Sequence, residues 1–212
     1  TLQSNNHLPP SPDWYSNQQR YLAVLEGKLF DLYDHRHGTF LGIEPKKRFG
    51  IKAEPNHPDE KQRRDPYFCC IPRYWVLYGE IKKRYVEKLG YVPNGILTFR
   101  DVCRTHTDLR TVRASICPPY GAGNKAPLIL FPVTSISEHA KKSILLCTNL
   151  TTFVLDYVAR QKFAGGSLNK YILIQLPFIE PNDIKCPWIW KHLLKIVVMM
   201  ARRTNGTRKD AF

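Results

Sequence analysis

The sequence lacks any apolar run long enough to cross a membrane. Its longest apolar runs, such as Ile196 to Ala201, cover a turn or two of helix, whereas a membrane-spanning helix needs about 20 apolar residues. The polar N-terminus also lacks the basic and then apolar segments of a signal peptide. We therefore expect no membrane partner and a cytoplasmic location. The chain begins with Thr1 in place of methionine, which fits a fragment of a longer protein.

Cysteine pairs with metal-ligand spacing are also missing. The six cysteines are scattered and none belongs to a Cys-x-x-Cys pair, so the sequence predicts neither a zinc ribbon nor a thioredoxin-like site. Single cysteines on apolar segments are typical of small core residues in a reducing cytosol. His35 and His37 form a His-x-His pair, but no clear third ligand lies nearby in the sequence. We predict no metal site in this chain.

Acidic residues are few compared with basic ones. The 212 residues include 32 Lys and Arg against 18 Asp and Glu, which gives a net charge of +14. In a folded chain with 43% hydrophobic residues, this surplus favours a polyanionic partner, with nucleic acid first and an acidic membrane second. The alternative is a basic protein whose charge only keeps it soluble. The length suffices for one large domain or one and a half ordinary domains.

No complete catalytic motif is present in the sequence. Cys117-Pro118-Pro119-Tyr120 is similar to the Pro-Pro loop of amino-methyltransferases, whose first side chain accepts a hydrogen bond from the flipped base, but cysteine is a poor acceptor. No glycine-rich turn between a strand and a helix is available to hold a methyl donor. Asp101 lies in a predicted strand, but no Glu-x-Lys or Asp-x-Lys of a metal-dependent nuclease follows. We therefore expect this chain alone to be neither an enzyme nor a cofactor-binding protein.

Hydrophobic periodicity predicts an α+β chain with several short strands. The predicted helices cover 77–90, 135–162 and 184–203, and the predicted strands cover 28–34, 95–104, 110–117, 127–131 and 171–176. Gly90 is predicted to end the first helix, and Ser135 and Glu138 form a capping-box pattern at the start of the second. Residues 1–20 are predicted to be a linker. Residues 44–66 are predicted to be an exposed basic loop, either a solvated insertion or a functional one.

A cluster of arginines surrounds the hairpin predicted from the strands over 95–104 and 110–117. Arg100 and Arg104 share one face of the first strand because side chains alternate along a strand. Arg110 and Arg113 lie on the second strand, and Thr107 lies in the turn. A two-stranded ribbon fits the major groove of DNA, where arginine binds guanine O6 and N7. We expect Arg100→Ala or Arg104→Ala to relax base choice at one position.

Each of these basic residues also has an ordinary structural explanation. The hairpin arginines can pair with Asp101, Asp108 and other carboxylates on a solvated face. Arg160 and Lys162 lie at the end of a predicted helix, where cations suit the helix dipole. If Lys162 contacts a phosphate, Lys162→Ala should weaken binding to all sequences alike.

Five blocks form one ordered pattern over residues 25–177. They are LEGKLF at 25–30 followed by YDHR at 33–36; IPRYWV at 71–76; LTFRDV at 97–102 followed by Arg104, Thr105 and RTV at 110–112; GNKAPL at 123–128; and Asn149-Leu150, FVLDYVARQK at 153–162, Gly165-Gly166, Leu168-Asn169 and QLP at 175–177. The pattern resembles the C-terminal part of large bacterial adenine methyltransferases. These are single-chain type II (type IIG/IIL-like) restriction–modification enzymes and related phage-exclusion methyltransferases.

This resemblance implies a fold and a set of partners. It implies a twisted mixed sheet with packed helices, like the target-recognition domains of methyltransferase specificity subunits, over residues 21–181. Residues 182–212 would then form a C-terminal helix packed on that domain or extending from it. The implied partners are double-stranded DNA and an upstream methyltransferase domain of the same parent chain. S-adenosylmethionine and Mg are expected only in those missing parts, and the location is expected to be the bacterial cytoplasm.

The resemblance and the charge together define the candidate DNA-binding residues. They are Lys28, Arg36, Arg73, Arg100, Arg104, Thr107, Arg110, Arg113, Arg160, Lys162, Asn169 and Lys170. Two positions depart from the family pattern. Arg113 stands where the family usually has an apolar residue, so it is either a specificity residue or a sign of a shifted register. Cys117-Pro118-Pro119 replaces the usual aliphatic residue and proline, so that turn is expected to be reshaped.

Two other functions remain open at this point. One is a free-standing regulatory protein that binds the catalytic partner rather than DNA. The other is an enzyme fragment with residual nuclease or transferase chemistry.

Overall fold

The computed structural model describes residues 12–65, 67–103, 108–162 and 166–180, together with Lys195. In this part the chain is mixed α+β, as predicted, with a mixed sheet and several helices. The strands are β1 (Asp13–Ser16), β2 (Gln19–Leu25), β3 (Trp75–Leu77), β4 (Ile96–Phe99), β5 (Ala114–Cys117), β6 (Gly121–Ala122) and β7 (Leu128–Ile129). The helices are α1 (Pro45–Arg48), α2 (Glu60–Arg64), α3 (Tyr78–Leu89), α4 (Ile136–Leu150), α5 (Phe153–Lys162) and α6 (Lys170–Leu173).

The first sheet has β2 at its centre. β1 and β3 pair with β2 in the antiparallel direction, and β6 pairs with it in parallel. The linker predicted for residues 1–20 is therefore wrong over residues 13–20, which form β1 and the start of β2. The hairpin forms because Asn17 and Gln18 take positive φ angles of 48° and 61°, which suit a tight two-residue turn. Trp14 then stacks on Tyr21 across the strands, with 5.4 Å between ring centroids.

The second sheet is antiparallel, in the order β5-β4-β7. Every residue of β4 is buried, because α4 packs against this sheet and Leu97, Phe99 and Leu150 share one core with it. The predicted strands over 95–104, 110–117 and 127–131 are thus present in shorter form. The first two are not joined by a tight turn, since pairing ends at Phe99 and Ala114.

Helix α3 confirms the prediction over 77–90. Ile81 and Tyr85 are its buried residues, and Gly90 ends it in the left-handed conformation, with a φ of 81°. Ser135 also caps α4 as predicted, because its side chain accepts a hydrogen bond from the Glu138 N–H at 3.0 Å. The Glu138 carboxylate, however, pairs with Lys142 at 3.1 Å.

The single helix predicted over 135–162 is two helices, α4 and α5. The break falls at Thr151 and Thr152, whose hydroxyls bond back to carbonyls of the preceding turn. The Thr152 hydroxyl also accepts a hydrogen bond from the Leu155 N–H at 3.2 Å. Threonine hydroxyls compete with the helical backbone in this way, so two in succession end one helix and begin the next.

Two segments predicted to be strands are not strands. Within 28–34 the chain makes a 3-10 turn over Gly27–Leu29 and then bends, because Leu29 and Phe30 enter two different hydrophobic clusters. Within 171–176 the chain begins with the short helix α6, and the Asn169 side chain caps it by accepting a hydrogen bond from the Ile172 N–H at 3.1 Å. A short continuous apolar run does not distinguish a strand from a buried helix by its period.

The segment predicted as an exposed basic loop over 44–66 contains α1 and α2. We call residues 40–70 the basic lobe, which has a small core around Leu29, Phe40 and Ala53. The buried Arg36 guanidinium donates to the backbone carbonyls of Arg63, Asp65 and Phe68 at 3.0–3.2 Å. These bonds tie the lobe to the rest of the chain.

The C-terminal helix predicted over 184–203 lies outside the described residues except for Lys195, which is helical and exposed. Among the helices that the structure describes, none is long and apolar enough to cross a membrane.

His35 of the His-x-His pair is partly buried, and the loss of solvent around its ring lowers its pKa to about 4. Its Nδ1 atom has no hydrogen-bond partner in the described part of the chain. His37 packs against His57, with 4.5 Å between ring centroids. Among the described residues, no three His, Cys, Asp or Glu side chains are arranged to hold a metal. His35 is therefore a neutral, packed histidine in this structure.

We expect His35 to make the fold sensitive to mild acid. In the unfolded chain a histidine titrates near pH 6.5, while folding lowers the pKa of His35 to about 4. Between these pH values the unfolded chain binds the extra proton, so stability is lost as the pH falls below about 6.5. From pH 7 to pH 5, the free energy of unfolding of the wild type should fall by about 2 kcal/mol more than that of His35→Gln. Urea titrations at both pH values measure this difference, and equal losses in the two proteins would contradict it.

Candidate nucleic-acid interface

Two of the predicted DNA-binding arginines converge on one carboxylate, that of Asp31. Arg100 donates from Nε and a terminal nitrogen to the Phe30 carbonyl at 2.8 and 2.5 Å and lies 3.6 Å from Asp31. Arg113 lies 3.4 Å from both Asp31 and Asp108. Arg113 is thus an ion-paired residue in this structure.

Arg110 lies in the segment that precedes β5 and binds the junction of α4 and α5. Arg110 donates to the Thr151 carbonyl at 2.7 Å and lies 3.4 Å from Asp156. Asp156 accepts hydrogen bonds from the backbone N–H groups of Thr111 and Val112, both at 2.8 Å.

Arg160 completes this arrangement from α5. It donates to the Thr111 hydroxyl at 3.0 Å and to the Asp108 carbonyl at 2.9 Å. Residues 108–113, which we call the arginine-bound loop, are therefore fixed to the junction of α4 and α5. Leu109 of this loop remains 92% exposed.

The other predicted site residues divide into three groups. Arg36, Arg73 and Lys28 are bonded inside the chain: Arg73 forms a two-point ion pair with Glu26 at 2.8 and 2.6 Å, and Lys28 donates to the Ala53 carbonyl. Asn169 caps α6, while Lys162 and Lys170 are exposed on α5 and α6. Arg104 and Thr107 lie outside the described residues.

The structure thus gives internal partners to eight of the twelve predicted DNA-binding side chains. They are Lys28, Arg36, Arg73, Arg100, Arg110, Arg113, Arg160 and Asn169. Arginine has five N–H donors in a fixed fork, and these forks bind carbonyls and carboxylates brought close by the fold. These arginines therefore stabilise the fold, and we call them framework arginines. The cations that remain available to a ligand lie on other parts of the surface.

In the part of the chain that the structure describes, exposed cations without an acidic partner are densest on α3. Lys82, Lys83, Arg84 and Lys88 are all exposed, and none forms an ion pair with another described residue. Lys83, Arg84 and Lys88 line a groove of about 620 Å³ between α3 and residues 120–130. None of these four cations is among the twelve residues predicted from the sequence to bind DNA. Four cations within seven residues are the sequence signal that could have identified them.

Large apolar side chains are exposed on α5, α6 and the residues that follow. Phe153, Val154 and Tyr157 of α5 are 80%, 75% and 66% exposed. Tyr171 and Ile174 are 74% and 65% exposed. We call these five residues the apolar face. Exposed apolar surface of this kind is typical of a contact with another molecule.

Comparison of the chain with protein-family models, with curated proteins and with solved structures finds no match in any of the three. No family follows from these comparisons, and the resemblance to adenine methyltransferases stays a prediction.

Proposed function

We propose that the chain is a sequence-specific double-stranded DNA recognition domain of a larger adenine-N6 methyltransferase of the restriction–modification or phage-exclusion type. The net charge of +14 and the ordered blocks over residues 25–177 support this proposal. S-adenosylmethionine, Mg and all catalytic groups belong to other parts of the parent chain, and this chain alone catalyses nothing.

The observation that carries the proposal is the anchoring of the arginine-bound loop. Arg110, Arg113 and Arg160 hold residues 108–113 through side-chain and backbone bonds. In the sequence this loop directly follows Arg104 and Thr107, two predicted DNA-binding residues that lie outside the described part of the chain. A binding element works best on a rigid support, because its geometry must be held before the ligand arrives. The proposed division is thus between framework arginines and base-contacting residues over 104–109.

Selection from a randomised duplex pool tests the proposal. The purified chain is incubated with the pool at low salt and again at about 0.15 M salt, where phosphate contacts alone lose much of their strength. We expect an asymmetric motif to be enriched under both conditions. Binding without sequence preference that disappears at the higher salt would mean that only phosphate contacts reside in this chain.

Three variants in the same experiment separate the roles of individual cations. Arg104→Ala should relax base choice at one position, at a cost of about 1–3 kcal/mol. Lys162→Ala should keep the selected motif and lower the salt slope by about one unit. Arg100→Ala, first expected to relax base choice, is now expected to lower stability instead, because it removes both bonds to the Phe30 carbonyl. A relaxed motif with Arg100→Ala at unchanged stability would contradict the framework role.

The second candidate is a protein that binds its catalytic partner, and the apolar face favours it. In a parent chain the two functions are compatible, since the same face can contact the upstream methyltransferase domain. The Phe153 ring lies 4.6 Å from the Arg110 guanidinium, so the test uses two other residues of this face. Val154→Ser with Tyr157→Ser should leave duplex affinity unchanged if DNA is bound elsewhere, and should reduce self-association of the isolated chain in sedimentation experiments. Loss of duplex binding in this variant would place DNA on the apolar face.

A further inference from the structure

The groove between α3 and residues 120–130 has exposed cations along one side and an exposed polar segment along the other. Lys83, Arg84 and Lys88 line one side, and the exposed Asn124 lies on the other. The Tyr85 hydroxyl donates to the Tyr120 carbonyl at 3.0 Å and joins the two walls. The groove is therefore a formed feature of the fold, and its cations form no ion pair with another residue in the described ranges.

Packing explains why the second wall stays close to the sheet. A side chain on Gly121 would come within 3.0 Å of a Val76 methyl group, so the glycine lets β6 lie against β2 and β3. Gly123 then donates its N–H to the Leu25 carbonyl at 2.8 Å. These contacts leave the outer side of residues 121–124 facing the cations of α3.

We propose that this α3 groove binds the sugar–phosphate backbone of duplex DNA. This inference rests on the proposed function. It assigns to the α3 groove the part of the DNA affinity that does not depend on base sequence. Arg84 and Lys88 are four residues apart on one helix face, with Cβ atoms about 5–6 Å from each other, so they can contact neighbouring phosphates of one strand. Asn124 supplies an amide donor for the same oxygens.

Two carboxylates restrict the path of the backbone along the groove. Glu80 and Glu87 also line it, and neither is ion-paired to a described cation. Since they repel phosphate, removing their charge should tighten binding. This gives a prediction of opposite sign on the same surface, which general loss of structure does not produce.

Salt dependence of duplex affinity tests the groove. Each lost phosphate contact lowers the slope of log K against log salt by about 0.9, so the K83Q/R84Q/K88Q variant should lower it by about 2–3 in all. The affinity for every duplex should fall by the same factor, and the selected motif should be unchanged. K83R/K88R should keep the wild-type slope, and E80Q/E87Q should bind several-fold more tightly.

The basic lobe offers a matched control with the same change of charge. Lys46, Lys52 and Lys61 are exposed and have no acidic partner among the described residues. K46Q/K52Q/K61Q should change the slope by less than one unit if the contacts are local to the α3 groove. Equal losses in the two triple variants, or an unchanged slope in the groove variant, would overturn the assignment.

The two proposals fail in different ways. If the wild-type chain binds no duplex even at low salt, the proposed function and the groove assignment both fall. If it binds and selects a motif while the groove variant keeps its slope, only the groove assignment falls. Thermal melting of each variant by circular dichroism confirms that the compared proteins are folded.

Discussion

Asp156→Ala should lower the free energy of unfolding by about 3–5 kcal/mol. The Asp156 side chain is buried and accepts hydrogen bonds from two backbone N–H groups, those of Thr111 and Val112. It also lies 3.4 Å from Arg110. Alanine leaves both N–H groups without their acceptor and the guanidinium without its carboxylate, and each of these losses costs free energy in a buried place. Urea unfolding measures the change as a shift of the midpoint.

Two variants show whether the effect comes from these bonds. Asp156→Asn keeps an oxygen acceptor and removes only the charge, so it should cost less than alanine. Glu138→Gln removes an exposed carboxylate that pairs with Lys142 on α4, and exposed pairs contribute only about 0–1 kcal/mol. If Asp156→Ala destabilises the chain no more than Glu138→Gln, the arginine-bound loop is not anchored in the way described.

Substitution of Asp156 is also expected to affect DNA recognition, and this effect can be measured separately from its effect on stability. The bonds of Thr111 and Val112 to Asp156 fix the start of β5 and thereby the direction in which the preceding segment leaves the sheet. The Asp156→Asn variant, if folded, should therefore select a weaker or broader DNA motif without a change in salt slope. That combination is expected from a positioning residue, since a phosphate ligand would change the slope.

Glu26→Ala should lower the free energy of unfolding by about 3 kcal/mol or more. Glu26 and Arg73 form a two-point ion pair, and their side chains are 18% and 12% exposed. Arg73 also donates to the Arg48 carbonyl at 3.0 Å and so connects β2 with α1 of the basic lobe. Without Glu26 the guanidinium is left buried with one carbonyl partner, and an uncompensated buried charge is costly.

A double-mutant cycle identifies the pair as the cause. Glu26→Leu with Arg73→Met removes both charges and replaces them with apolar groups, so it should cost less than the sum of the two single changes by about 1–3 kcal/mol. Additive losses would mean that the two side chains contribute independently. Neither variant should alter the salt slope of duplex binding, because Arg73 is committed to the fold.

Only some of the candidate site could be predicted from the sequence. The charge surplus, the helix over α3 and the clustering of arginines around β4 and β5 were all present in composition and spacing. Which cations are free was not, because the partners of the bonded arginines are distant along the chain. The Phe30 carbonyl that binds Arg100 is 70 residues away, and the Thr151 carbonyl that binds Arg110 is 41 residues away.

The ends of α3 and α4 could be predicted because they depend only on residues close in the sequence. Gly90 ends α3 and Ser135 begins α4 because a left-handed residue and a hydroxyl cap need only their own neighbours. The β1–β2 hairpin was missed although Asn17-Gln18 turn it locally, because the prolines before it suggested a linker. The break at Thr151 and Thr152 was missed because apolar spacing continues through it.

The sequence by itself determined that the chain is a basic α+β protein with free charge to offer a polyanion. The tertiary structure alone decided which residues offer it. Folding brings carbonyls and carboxylates within reach of Arg36, Arg73, Arg100 and Arg110, which lose their availability to a ligand. Among the described residues, it brings no acid into an ion pair with the lysines of α3. The sequence shows where the charged residues are, but the partner of each charge depends on contacts between segments that are distant along the chain.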